Sequence, residues 1–122
     1  MMYTAVCMIN GGVLERSPGL RDSLLEANCS WVPYWLWRMD EHDEVREFAV
    51  KGKLPEPPSS YFLRQCFVSI EADEETACPV MDRIGDNAVF STDFPHSDSA
   101  YPHASEAFLE LALTDDQKCR IL

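Results

Sequence analysis

Few positions in this chain combine residue type and spacing in a way that could support chemistry. Ala88-Val89-Phe90-Ser91-Thr92 runs into Asp93, and Phe94-Pro95-His96 then turns the chain away, so a carboxylate stands where a buried strand should meet a loop. Enzymes of the α/β class carry their chemistry at that junction. A strand-end aspartate also commonly caps the turn that follows it, so Asp93 by itself has two readings. His96 has two as well, as a group that orients Asp93 or touches substrate and as a solvent-exposed loop histidine. Glu26, a lone carboxylate at another expected strand end, is ambiguous. Ser69 and Ser91 have no histidine in a nucleophile-elbow context, and Gly-x-Ser-x-Gly is absent, which removes support for serine hydrolysis. Gly11-Gly12 lacks both a preceding strand and a lysine, so no phosphate cradle is indicated. Asp40-Glu41-His42 has no partner at metal-ligand spacing, and His42 and His103 read as surface residues.

The elements that must place Asp93 alternate along the chain. Met1 to Arg16 reads as an apolar helix stopped by Ser17-Pro18-Gly19. Gly11-Gly12 within it either lets another element pack close or forms a turn before a second short helix. Ser23 to Ala27 is a short strand candidate, and Ser30 can cap the next helix. Trp31 to Glu44 reads as that helix, with Pro33 in its first turn, and Trp31, Trp35, Leu36 and Met39 share one face, a pattern of core or interface. The acidic run from Asp40 to Glu47 is its solvated end. Lys51 to Ser60, with Gly52, Pro55, Pro57 and Pro58, is an irregular connection, followed by one expected helical turn over Ser59 to Arg64, where Tyr61 and Arg64 do packing and surface work.

Gln65 to Glu71 is a second strand with an apolar middle. Asp73 to Ile84 reads as a helix capped by Asp73, with Glu74 and Glu75 in its first turn and Pro79 splitting it into a turn and a short helix. Gly85-Asp86-Asn87 is a turn, and the third strand runs from Ala88 to Asp93. Ser105 to Leu113 and Thr114 to Leu122 are expected helices, the second opened by a capping box of Thr114 and Gln117. Strands alternating with helices imply right-handed crossovers and a parallel sheet.

Bulk properties narrow the class. The 122 residues, 46% hydrophobic and 11% aromatic, suit one domain with a real core. They are too few for a complete eight-fold barrel of about 250 residues. A net charge of −11 argues against nucleic acid or an anionic membrane as partner, and a soluble cytoplasmic protein is expected. No apolar run is long enough to span a membrane, and no basic region precedes the first one, so export is not expected. The five cysteines are widely spaced without a Cys-x-x-Cys pair, and reduced thiols acting as small apolar fillers are expected.

Five segments in order carry a resemblance: Gly12-Val13-Leu14-Glu15-Arg16-Ser17-Pro18-Gly19-Leu20-Arg21, Leu25-Glu26-Ala27, Trp31-Val32-Pro33-Tyr34-Trp35-Leu36 with Arg38-Met39-Asp40-Glu41, Pro58-Ser59-Ser60-Tyr61-Phe62, and Ser91-Thr92-Asp93-Phe94-Pro95-His96. Together they resemble the amidohydrolase-related family, in the branch that includes aminocarboxymuconate-semialdehyde decarboxylase. The resemblance implies an α/β fold forming the C-terminal part of a (β/α)₈ TIM barrel, about three parallel strands with flanking helices. Ser23 to Ala27, Cys66 to Glu71 and Ala88 to Asp93 would match the sixth, seventh and eighth strands. It also implies that Asp93 is a ligand of a catalytic divalent metal, zinc or manganese, and handles the proton of the attacking water. His96 would be its catalytic neighbour.

The other usual ligands, a His-x-His and a further histidine, would lie before Met1, so the metal site is expected to be complete only in the parent fold and this chain alone to be inactive. Ala27 beside Glu26 stands where decarboxylase members carry a histidine. The implied function is that of a fragment of a metal-dependent hydrolase or carboxy-lyase acting on a small carboxylate, lactone or amide. Its expected partners are a small-molecule substrate and either further copies of itself or a complementing N-terminal half. The alternative is a non-catalytic acidic α/β module that dimerises through the Trp31-Trp35 face.

Overall fold

A computed structural model describes residues 1–46 and 54–122. Glu47 of the acidic run, and Lys51, Gly52 and Lys53 of the irregular connection, lie outside the described residues. Strands β1 (Asp22–Leu24), β2 (Cys66–Ile70) and β3 (Ala88–Phe90) form one parallel sheet in the order β1-β2-β3. Leu24 lies beside Val68, and Val68 beside Ala88, so the carboxyl ends of all three strands open on the same side. Helices α1 (Met2–Asn10) and α2 (Val13–Arg16) precede β1. Helices α3 (Val32–Arg46) and α4 (Pro58–Gln65) connect β1 to β2. A 3₁₀ helix over Glu75–Val80 and helix α5 (Met81–Ile84) connect β2 to β3, and α6 (Ala104–Glu110) and α7 (Asp115–Ile121) follow. The expected partial α/β fold is therefore present: three parallel strands with flanking helices.

Several expected boundaries move for identifiable reasons. Met1 to Arg16 is two helices, because Gly12 takes a left-handed φ of 71° that stops α1 and starts α2. A Cβ on Gly11 would lie 2.2 Å from the Cys7 carbonyl oxygen of the same helix, so the glycine pair serves the turn and not the approach of another element. The single turn expected at Ser59 is a two-turn helix that Pro58 opens from its first position. Pro79 divides Asp73–Ile84 as expected, but Glu74 and not Asp73 occupies the cap position, and its side chain does not cap. β1 stops at Leu24 instead of Ala27, and β3 stops at Phe90 instead of Asp93. The capping box on α7 forms with both of its hydrogen bonds.

The core gathers Ile9, Leu14, Leu36, Phe62, Val68, Ile70 and Phe108, all fully buried. Burying each such side chain stabilises the fold by roughly 1.5–3 kcal/mol. The aromatic stripe on α3 is core: Leu36 and Met39 are buried, and the half-buried Trp31 and Trp35 pack against them. The Trp35 indole donates to the Met2 carbonyl at 3.0 Å, so this face is engaged within the chain. Cys29 and Cys66 are buried fillers, whereas Cys7 and Cys119 are exposed and correct the expectation that all five thiols fill space. Among the described residues, no helix is long and apolar enough to cross a membrane.

Two buried amides close the amino ends of the strands. The Gln65 amide nitrogen, just ahead of β2, lies 3.0–3.2 Å from the carbonyl oxygens of Leu14, Ser17 and Leu20 and donates to them. The Asn87 amide, just ahead of β3, donates to the carbonyls of Leu63 and Cys66. These bonds give buried amide nitrogens their acceptors and tie the chain before β1 and the end of α4 to the strand starts.

Candidate functional site

At the opposite ends of the strands, the chain turns with its own hydroxyls. The Ser91 amide extends the β2–β3 ladder by donating to the Ile70 carbonyl at 3.2 Å. Asp93 follows with a left-handed φ of 57°, a conformation that aspartate tolerates better than most residues. Its amide donates to Ser91 Oγ, and its carbonyl accepts from the His96 amide at 2.9 Å. Ser99 Oγ donates to the Thr92 carbonyl and ties the far side of the loop back. Asp93 thus projects from a tight turn beyond the strand, and the turn itself brings His96 over it.

The Asp93 carboxylate lies 2.9 Å from His96 Nδ1. The other ring nitrogen, Nε2, lies 3.9 Å from the Glu26 carboxylate, which comes from the loop after β1. One ligand atom from each of Glu26, Asp93 and His96 lies within 4.8 Å of the others. The hydrogen bond to Asp93 and then the charges of Asp93, Glu26 and Asp98 raise the His96 pKa above its ordinary 6.5. The Glu71 carboxyl, just beyond β2, is raised above 4.5 first by burial and then by the charges of Asp93, Glu74 and Asp73, against a lowering hydrogen bond from Asn28. A cleft of about 250 Å³ lies beyond the ends of β2 and β3, between Glu71, Asp73, Asp93 and Asp98.

Sequence reasoning singled out Asp93 and His96, and the structure brings them into contact. Glu26, ambiguous in the sequence, lies near them from the other edge of the sheet. His42 and His103 are exposed as expected, with His103 against Glu106 on its own helix. Glu74, expected in the first turn of a helix, is buried beneath the β1–α3 loop. Its shortest hydrogen bonds come from Ser30 and Cys29, 44 and 45 residues away, beyond the reach of a local pattern. Tyr61 is buried with its hydroxyl on Glu15, and Arg64 stacks on its ring, in the packing roles expected.

No family model and no curated protein matches the chain. Solved structures do. An amidohydrolase from Mycobacterium avium subsp. paratuberculosis superposes with a TM-score of 0.81 at 20% identity, over 99% of this chain and 30% of its own. A 5-carboxyvanillate decarboxylase from Sphingomonas paucimobilis gives 0.80 at 24% identity, over 98% of this chain and 36% of its own. A dihydroxybenzoic acid decarboxylase from Polaromonas sp., solved with bound manganese and the inhibitor 2-nitroresorcinol, gives 0.75 at 20% identity over 98% and 36%. This chain therefore spans about a third of the length of the structures it matches. Its three parallel strands with flanking helices match part of the TIM-barrel fold of these structures, as the sequence resemblance implied.

Proposed function

From a fold shared with one third of an amidohydrolase and of two aromatic-acid decarboxylases, we propose that this chain supplies the Asp93 corner of a metal-dependent hydrolase or carboxy-lyase. The substrate class is a small carboxylate, lactone or amide. The observation that carries the reading is the Asp93–His96 pair at the carboxyl ends of parallel strands, where barrel enzymes bind and react. The donor set fits a divalent cation of the zinc or manganese type, since carboxylate oxygens from Asp93 and Glu26 and a nitrogen from His96 converge. Such a cation, when bound, lowers the pKa of water or polarises a substrate oxygen.

The residues of this chain do the rest at their own atoms. Asp93 offers one oxygen as ligand and takes up a proton through its carboxylate. His96 Nδ1 holds the carboxylate in one orientation from the solvent side. Ser91 and the left-handed turn fix the direction in which Asp93 points. The remaining ligands belong to the part of the barrel outside these 122 residues, and these residues alone are inactive.

The test is metal analysis and manganese titration, followed by electron paramagnetic resonance, on the chain and on Asp93→Ala. Weak binding that Asp93→Ala abolishes is expected. Identical binding by the two proteins removes Asp93 from the ligand set. A stoichiometric ion that supports activity in this chain alone contradicts the incomplete-site reading.

A further inference from the structure

Glu74 is a buried carboxylate with no part in the chemistry proposed above, and only 6% of its surface is exposed. An ionised carboxylate is expensive to bury unless hydrogen bonds replace its water. Here they do. One oxygen accepts from the amides of Cys29 and Ser30, each at 2.9 Å, and from Ser30 Oγ. The other lies 3.2 Å from the Cys29 amide and 3.6 Å from the Cys29 thiol. The carboxylate thereby clamps the β1–α3 loop onto the segment that follows β2, at the point where α3 begins.

That loop carries Glu26. It is an improbable loop by itself, because Glu26 and Asn28 both take left-handed φ angles, 57° and 51°. Non-glycine residues persist there only when their surroundings hold them. Three attachments do so: the Glu26 amide donates to Ser69 Oγ at 3.0 Å, the Trp31 indole donates to the carbonyls of Ala27 and Asn28, and Glu74 holds Cys29 and Ser30. The outcome is a Glu26 carboxylate 3.9 Å from His96 Nε2, with Asp93 on the opposite ring nitrogen.

We propose that Glu74 is a positioning residue whose clamp on the β1–α3 loop sets Glu26 against His96, so that the imidazole is held between two carboxylates from opposite edges of the sheet. The meaning of this for catalysis rests on the reading of Asp93 and His96 as site residues, whereas the positioning itself can be tested without a metal.

The experiment is nitrogen NMR of the His96 ring in the full chain, in Glu74→Gln and in Glu26→Gln. Glu74→Gln keeps the side-chain volume but replaces one acceptor oxygen by a donor nitrogen. The Nε2 resonance in Glu74→Gln should move to the position it takes in Glu26→Gln, while Nδ1, which faces Asp93, stays where it is in the parent chain. Resistance of Cys66 to alkylation reports that the fold is intact. A parent-like Nε2 resonance in Glu74→Gln overturns the proposal, and so does an equal displacement of both ring nitrogens, which would signal general loosening. If Glu74→Gln does not fold, Ser30→Ala removes one clamp donor without burying an unpaired charge. It should then shift Nε2 part of the way, and no shift overturns the proposal. Failure of the metal reading would show separately, as manganese binding indifferent to Asp93, and would leave these resonances as predicted.

Discussion

The two ends of this sheet are built from different chemistry. At the amino ends, the polar groups are neutral amides: Gln65 and Asn87 are buried, and their donors go to backbone carbonyls. At the carboxyl ends stand Glu26, Glu71, Asp93 and His96, partly or largely exposed, with pKa values pushed upward on Glu71 and His96. Amide nitrogens whose hydrogens already go to backbone carbonyls hold the fold and have no donor left for a ligand. Side chains that face a cleft and one another retain capacity for a ligand. One end of the sheet is thus closed by hydrogen bonds to backbone, and the other leaves ionisable side chains partly exposed.

The largest effect that can break this comparison belongs to the closed end. Gln65→Met keeps a side chain of similar length but deprives the carbonyls of Leu14, Ser17 and Leu20 of their donors. Losing these bonds at a fully buried position should cost about 2 kcal/mol, visible as a lower urea midpoint with an unchanged slope. A loss below about 1 kcal/mol would mean that water or backbone shifts replace the amide, and the two ends would then differ less than claimed.

Asp93→Asn should behave in the opposite way. Asparagine also accepts the left-handed conformation at this position, so stability should change by no more than about 0.5 kcal/mol, while Asp93-dependent manganese binding is lost. A large destabilisation would place Asp93 with the structural groups.

Titration sharpens the comparison further. The His96 pKa is raised, chiefly by its hydrogen bond with Asp93. Its contribution to stability is therefore fully present below the unfolded value near 6.5 and is lost as pH rises through the higher folded value. The NMR midpoint of His96 should lie above 6.5 in the parent chain and fall back toward it in Asp93→Asn. An unchanged midpoint would disconnect the pair.

The smallest effect concerns the thiols. Cys7 and Cys119, both exposed, should react promptly with a disulfide reagent at neutral pH. Cys29 and Cys66 should react only on unfolding, since burial raises both thiols, Cys66 to about 12 with help from the charge of Asp22. Prompt reaction of Cys66 would show that the closed end opens.

Local signals in the sequence carried much of this. The capping box at Thr114, the break at Pro79 and the β-branched and aromatic run after Asn87 act over a few residues, and each produced the expected element. Strand ends were misplaced because a residue such as Asp93 leaves the ladder through hydroxyls on its neighbours, a choice that the apolar pattern does not encode. The surroundings of Gln65, Glu74 and Glu26 were not legible for a different reason. Their partners are backbone groups or side chains more than forty residues away, so their burial or their place in the site is decided by tertiary contact. Asp93 and His96 could be recognised together because one turn holds them both.

The edge strands β1 and β3 are only three residues long, against five for β2, and each pairs on one side among the described residues. Short edges offer an incoming strand few ladder bonds, and a net charge of −11 repels like molecules as they approach. Added copies would gain little from stacking edge to edge into fibrils, so the same shortness that leaves the sheet open also keeps it a poor seed for aggregation.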